Sequence, residues 1–182
     1  MLALTISLLI MCGCGSSAKY EEKYQNWREN YLNLTEHEIT ADVTSSDDEK
    51  VCDYTLHYAL SAENETVEVL APETIARIKA NIEKDSVRLD YDGVMLETGS
   101  SLSEKLSPLT ALPVFNDVIH EGHLENSWRE TEGETELVVT ELEMPDGTRM
   151  TLWLNNADMK PVYADIRSGD KIQIKIKITE FK

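Results

Sequence analysis

The chain has 182 residues, enough for one domain that buries its own core without metals or disulfides to hold it. Its 34 Asp and Glu against 17 Lys and Arg leave a net charge of -17, which repels phosphate backbones and excludes nucleic acid as a partner. The same charge repels an anionic bilayer, so residence at a membrane requires an attachment stronger than surface adsorption.

Such an attachment is legible at the start of the chain. Leu2 to Met11 (LALTISLLIM) is apolar, has the length of a signal-peptide core and is too short to span a bilayer as a helix. After it comes Met11-Cys12-Gly13-Cys14-Gly15-Ser16-Ser17, a small residue before a cysteine and then a small polar run. This resembles the lipobox of bacterial lipoproteins, in which the cysteine after the small residue is acylated and becomes the new N-terminus. Gly13 suits the position before the cut and Met11 does not, so Cys14, not Cys12, is the expected lipidation site. No Lys or Arg precedes the apolar run, which departs from the pattern. Each buried methylene of an acyl chain contributes roughly 0.8 kcal/mol, so two or three chains on one cysteine hold a protein at the membrane almost permanently. The expected organisation is a signal peptide over 1–13, a lipidated tether over 14–19 and one domain over 20–182, displayed on the extracytoplasmic face of the cell membrane. Cys52 is then the one thiol besides Cys14; it alternates with apolar residues and is expected to be a small core residue.

From Tyr20 the pattern is helical. Tyr20, Tyr24, Trp27, Tyr31 and Leu34 recur at spacings of four and three among charged and polar residues, which predicts an amphipathic helix whose aromatic stripe packs on a sheet or forms a lid over an apolar cavity. From Ile39 the period becomes two. Ile39, Ala41 and Val43, then Cys52, Tyr54, Leu56, Tyr58 and Leu60, each mark a strand with one apolar face. Residues 62–65 turn into a strand carrying Val67 and Val69, and Pro72 marks a bend. Thr74 to Glu83 reads as a strand through Ala76, Ile78, Ala80 and Ile82, while Ile75, Ile78, Ala80 and Ile82 also fit a short helix. Val87, Leu89 and Tyr91 lead into Asp92-Gly93, a hairpin turn because both positions tolerate positive φ, with Val94 to Thr98 returning. Ser107-Pro108 offers an N-cap and a proline at the first helical position, predicting a second helix that ends near Gly122 and is interrupted near Pro113.

The last third alternates most clearly. Strands are predicted over 127–131, 135–143, 148–154, 162–167 and 171–181, joined in part by the turns Pro145-Asp146-Gly147 and Ser168-Gly169-Asp170. Ile172, Ile174, Ile176 and Ile178 oppose Gln173, Lys175, Lys177 and Thr179, so one face is buried and the other wet. The fold class is therefore α+β: a large, curved, mostly antiparallel sheet covered on one face by two helices.

The order of elements resembles the lipoprotein-carrier fold of the LolA and LolB family and its lipoprotein relatives. The likeness rests on the N-terminal amphipathic helix, Val67-Glu68-Val69-Leu70-Ala71-Pro72 running on to Tyr91-Asp92-Gly93-Val94, the Ser-Pro-capped helix, and Leu152-Trp153-Leu154 followed by Pro161. It implies an unclosed half-barrel whose concave apolar face, lidded by helices, receives an acyl chain or another lipid. On that reading Tyr54, Leu56, Tyr58, Ile78, Leu89, Val138, Leu152, Leu154, Ile174 and Ile176 line the cavity. The same alternation arises in any sheet that merely packs on helices.

Other chemistry finds less support. His120 and His123 stand at a spacing seen in metal sites but lack a third ligand, and a histidine near a helix C-terminus is favoured by the dipole alone. Asp90-x-Asp92-Gly93 lacks the rest of a calcium loop, and Asp47-Asp48-Glu49 reads as a solvated loop. No nucleophile elbow, Gly-rich phosphate loop or Cys-x-x-Cys pair is present, so no catalytic residue, cofactor or metal is expected. Two functions remain: a membrane-anchored carrier of a lipid or lipoprotein acyl chain, or a structural module whose packed sheet and acidic surface contact another envelope protein.

Overall fold

The computed structural model describes residues 15–47, 50–83, 86–91, 93–97, 107–169 and 171–182. Cys14 and the signal segment lie outside them. The described elements, in chain order, are α1 (Gly15–Leu32), β1 (His37–Asp47), β2 (Lys50–Leu60), β3 (Glu65–Ala71), β4 (Lys79–Glu83), β5 (Ser86–Tyr91), β6 (Val94–Glu97), α2 (Ala111–Glu121), β7 (His123–Glu132), β8 (Thr135–Glu143), β9 (Thr148–Asn155), β10 (Pro161–Ser168) and β11 (Lys171–Phe181). A single turn of tighter helix, Pro108–Thr110, leads into α2.

All eleven described strands form one unclosed antiparallel sheet in the order β6-β5-β4-β3-β2-β1-β11-β10-β9-β8-β7. The chain enters mid-sheet at β1, walks by hairpins to one edge at β6, crosses to the opposite edge at β7 and walks back until β11 pairs with β1. That crossing carries α2, which explains why a helix lies against one face of the sheet. The result is the half-barrel with two helices that the alternation and the resemblance predict.

Period two puts alternate residues of each strand on the helix side. Ile39, Ala41, Leu56, Tyr58, Val67, Ala80, Val138, Leu152, Leu154, Ala164, Ile166 and Ile174 are all 0% exposed there. They form one core with Tyr24 and Tyr31 of α1 and Leu112, Phe115, Val118 and Ile119 of α2. Tyr24, Trp27 and Tyr31 are successive members of the aromatic stripe, their ring centroids 5.8 and 5.2 Å apart. The stripe packs, as its spacing predicts; only Leu34, beyond the helix end, is exposed.

Four expectations need correction. Gly15 to Lys19 is helical and continuous with α1, not a separate tether; the Ser17 hydroxyl donates to the Glu21 carboxylate one turn on. Cys52 is exposed. It has the parity of Tyr54 and Leu56, but it sits near the tip of the β1–β2 hairpin, opposite Ser45, where the strands outrun the core and Val51 is 67% exposed. Residues 72–77 form a turn and only Lys79–Glu83 is strand, because Arg77 at φ 75° reverses the chain before Ile78. Pro113 does not interrupt the second helix. It falls in the first turn of α2, where its missing N–H deprives no helical carbonyl of a partner, and the break comes earlier, where the tight turn at Pro108–Thr110 becomes α-helix.

Two glycines are needed where they stand. Gly93 follows Tyr91 and Asp92 into the β5–β6 hairpin at φ 80°, while Asp92 itself lies outside the described residues. Gly122 ends α2 against its own last turn: a Cβ there would fall 2.5 Å from the Val118 carbonyl oxygen, so any side chain forces the helix end apart.

Candidate functional site

The ten residues expected to line a cavity all stand on the helix-covered face. Leu56, Tyr58, Val138, Leu152, Leu154 and Ile174 are fully buried and Ile176 is 2% exposed. Tyr54, Ile78 and Leu89 are partly buried against the same core. They share one core cluster with Tyr24 and Tyr31 of α1 and Leu112, Phe115, Val118 and Ile119 of α2. Two open hollows of about 600 and 300 Å³ among the described residues are bordered mainly by residues of the opposite sheet face, and of the ten only Ile176 adjoins one of them.

The helices are held to the sheet by a polar cluster at one end of the apolar face. The Tyr31 hydroxyl of α1 donates to Asn116 Oδ1 of α2 at 2.9 Å and lies 3.1 Å from His37 Nε2 of β1. Its proton is committed to Asn116, so His37 must donate through Nε2, which leaves Nδ1 as a bare acceptor. That atom is buried and has no partner, and burial, reinforced by His120, holds the imidazole below its ordinary pKa. Around this junction lie the rings of Tyr58, His120 and Phe181. Arg28 of α1 adds a second clasp, donating to the carbonyls of Ile119 at 2.7 Å and His120 at 2.8 Å. A cation there suits the C-terminal end of α2.

The cluster also gathers carboxylates. Tyr58 donates to Glu65 at 3.1 Å, and burial pushes the Glu65 carboxyl upward although that hydrogen bond pulls it down. Asp117, the neighbour of Asn116 in α2, is pushed up to about 6 by the low-dielectric surroundings first and by Glu65 and Glu121 second. His120 is lowered by burial and by Arg28, and Glu121 opposes both.

These shifts carry opposite signs in stability. The raised Asp117 contributes fully below the unfolded carboxyl range near pH 3.8 and destabilises once pH passes about 6. The lowered histidines do the reverse, since stability falls as pH drops below their unfolded value of 6.5. Asp117→Asn is therefore expected to raise the melting temperature by about 2–4 °C at pH 7.5, a figure discounted for the solvent that reaches this side chain. The gain should vanish near pH 4. Thermal melts of both proteins across that range check it, and a gap independent of pH would refute the assignment.

Sequence reasoning missed this cluster because its members come from α1, β1, β2, β3 and α2 and share no spacing. The one local signal was a histidine opening a strand just after an aromatic stripe. His120 packs edge-on against Tyr31 at 5.9 Å, while His123 begins β7 and is exposed. Among the described residues no three His, Cys, Asp or Glu side chains converge on a metal position, and no helix is long and apolar enough to cross a membrane.

No protein-family model matches the chain, and no curated protein matches it significantly. Solved structures do. A DUF1329 family protein from Desulfovibrio piger aligns over 91% of this chain and 91% of its own, with 12% identity and a TM-score of 0.55. An uncharacterized conserved protein from Thermus thermophilus aligns over 89% of this chain and 86% of its own, with 14% identity and a TM-score of 0.51. A LolA superfamily protein from Nitrosomonas europaea aligns over 92% and 93%, with 15% identity and a TM-score of 0.47. With its unclosed antiparallel sheet and two helices over the apolar face, the chain shares the fold of the Desulfovibrio piger and Thermus thermophilus proteins.

Proposed function

We propose that this chain is a lipid-anchored protein of the extracytoplasmic face of a bacterial membrane, which holds a lipid or a lipoprotein acyl chain between its sheet and its two helices. One observation carries the reading. The apolar face runs unbroken from Val87 in β5 to Leu142 in β8, and its roof of two helices is clasped by the side chains of Tyr31 and Arg28. Such a roof can lift at the cost of its apolar contacts, and an acyl chain entering beneath it restores equivalent contacts at roughly 25 cal/mol per Å². The apolar leader and Cys14 support the anchor, and the charge of -17 leaves adsorption no role.

A second reading is favoured by the filling of that face: with Leu56, Tyr58, Val138, Leu152, Leu154 and Ile174 sealed, the chain would be a packed envelope module that works through a protein partner. Native mass spectrometry of the protein extracted gently from cells separates the two. The carrier reading expects a non-covalent adduct that is released as lipid, and uptake of a fluorescent long-chain fatty acid by the stripped protein. A ligand-free protein that takes up no probe overturns it in favour of the packed module.

A further inference from the structure

The sheet face turned away from the helices carries a second site. Trp128, Val139, Trp153, Tyr163, Lys177 and Asp42 stand in one register row across β7, β8, β9, β10, β11 and β1. Their chain neighbours, among them Val138, Leu152, Leu154, Ala164, Ile176 and Ala41, belong to the helix-side core, so this row faces outward. Val139 and Leu137 are nevertheless 0% and 3% exposed; β8 thus gives the outer face a small apolar floor of its own.

The aromatic rings on that floor are fixed in place. Glu130 accepts from the Trp128 indole at 2.9 Å through one carboxylate oxygen and from the Trp153 indole at 3.0 Å through the other. Beside them opens the hollow of about 600 Å³, bordered by Glu130 and Glu132 of β7 as well as Asp42 and Thr44 of β1. Those strands stand at opposite ends of the order β1-β11-β10-β9-β8-β7, so the outer face is cupped here. The volume is that of a small-molecule site. No cation or other ring of the described residues lies over Trp153 or Tyr163.

The rim decides what would fit. It interleaves acceptors, Asp42, Glu132 and Asp165, with the donors Lys175 and Lys177. Four carboxylates against two ammonium groups disfavour an anion, and spermine in the test below stands for the cation that this excess would admit. A neutral polyhydroxyl compound meets both signs, because each hydroxyl donates and accepts. The flat C–H face of a sugar ring also suits the electron-rich face of an indole or phenol. Half-burial pushes Asp165 upward against the pull of Lys175 and Arg167.

We propose that this cupped outer face binds a neutral saccharide, stacked on Trp153 and Tyr163 and hydrogen-bonded by Asp165, Lys175 and Lys177. The site is independent of the helix-side face, so lipid binding can fail without touching it. The test titrates the full chain with neutral oligosaccharides of β-1,4-linked N-acetylglucosamine, glucose and mannose, and with spermine and oligogalacturonate. Binding is read by calorimetry and by the Trp153 indole N–H resonance. At least one neutral oligosaccharide is expected to bind and shift that resonance. Trp153→Ala should weaken it tenfold or more, and Asp165→Asn, which leaves the apolar floor intact, several-fold. The proposal is overturned if no neutral oligosaccharide binds, if spermine or oligogalacturonate alone shifts the indole, or if neither variant changes the affinity.

Discussion

Phe115→Ala is expected to destabilise the protein by about 3–5 kcal/mol, the usual cost of emptying a phenyl site in a filled core, and to lower the melting temperature by roughly 10 °C or more. Phe115 is 0% exposed at the centre of α2 and belongs to the same cluster as Leu152 and Leu154 of the sheet. The loss should appear in urea unfolding as a lower midpoint with an unchanged slope. A loss under about 1 kcal/mol would mean that the ring borders free space. The same number thus measures how tightly the helices seal the apolar face in the absence of a ligand.

Cys14→Ala is expected to have the largest effect in the cell. With the acyl acceptor gone, the chain should move from the membrane fraction to the soluble one, or stay unprocessed with its leader attached. On the proposed anchor each lost methylene removes roughly 0.8 kcal/mol of attachment, and the charge of -17 opposes adsorption to an anionic bilayer. Fractionation with intact-mass analysis reads the result. A variant that remains membrane-bound as a cleaved, acylated species would disprove the assignment of Cys14.

The sheet was legible because its strands obey period two wherever both faces have distinct fates. The strands predicted at 135–143 and 171–181 coincide with β8 and β11, since Val138, Thr140 and Leu142 and the Ile172 to Ile178 series leave little doubt about parity. β7 was read short at its start because His123, Glu125 and Asn126 are polar and follow a helix end directly. Cys52 misled for a related reason: parity names the face of a residue but not how far along the strand the core extends. The face that carries the ten cavity candidates was visible in advance. Whether that face is filled depends on how α2 crosses the sheet, a matter of three-dimensional closure. The outer aromatic row lay hidden because Trp128, Trp153 and Tyr163 meet only through the β7–β8–β9–β10 register.

Tyr31 links both helices to β1, through Asn116 on one side and His37 on the other, and Arg28 fastens α1 to the last carbonyls of α2. Neither helix can swing alone without stranding a buried polar group. On the carrier reading proposed above they travel as one plate, so access beneath them would be a concerted event, with a single rate in place of two separate flaps.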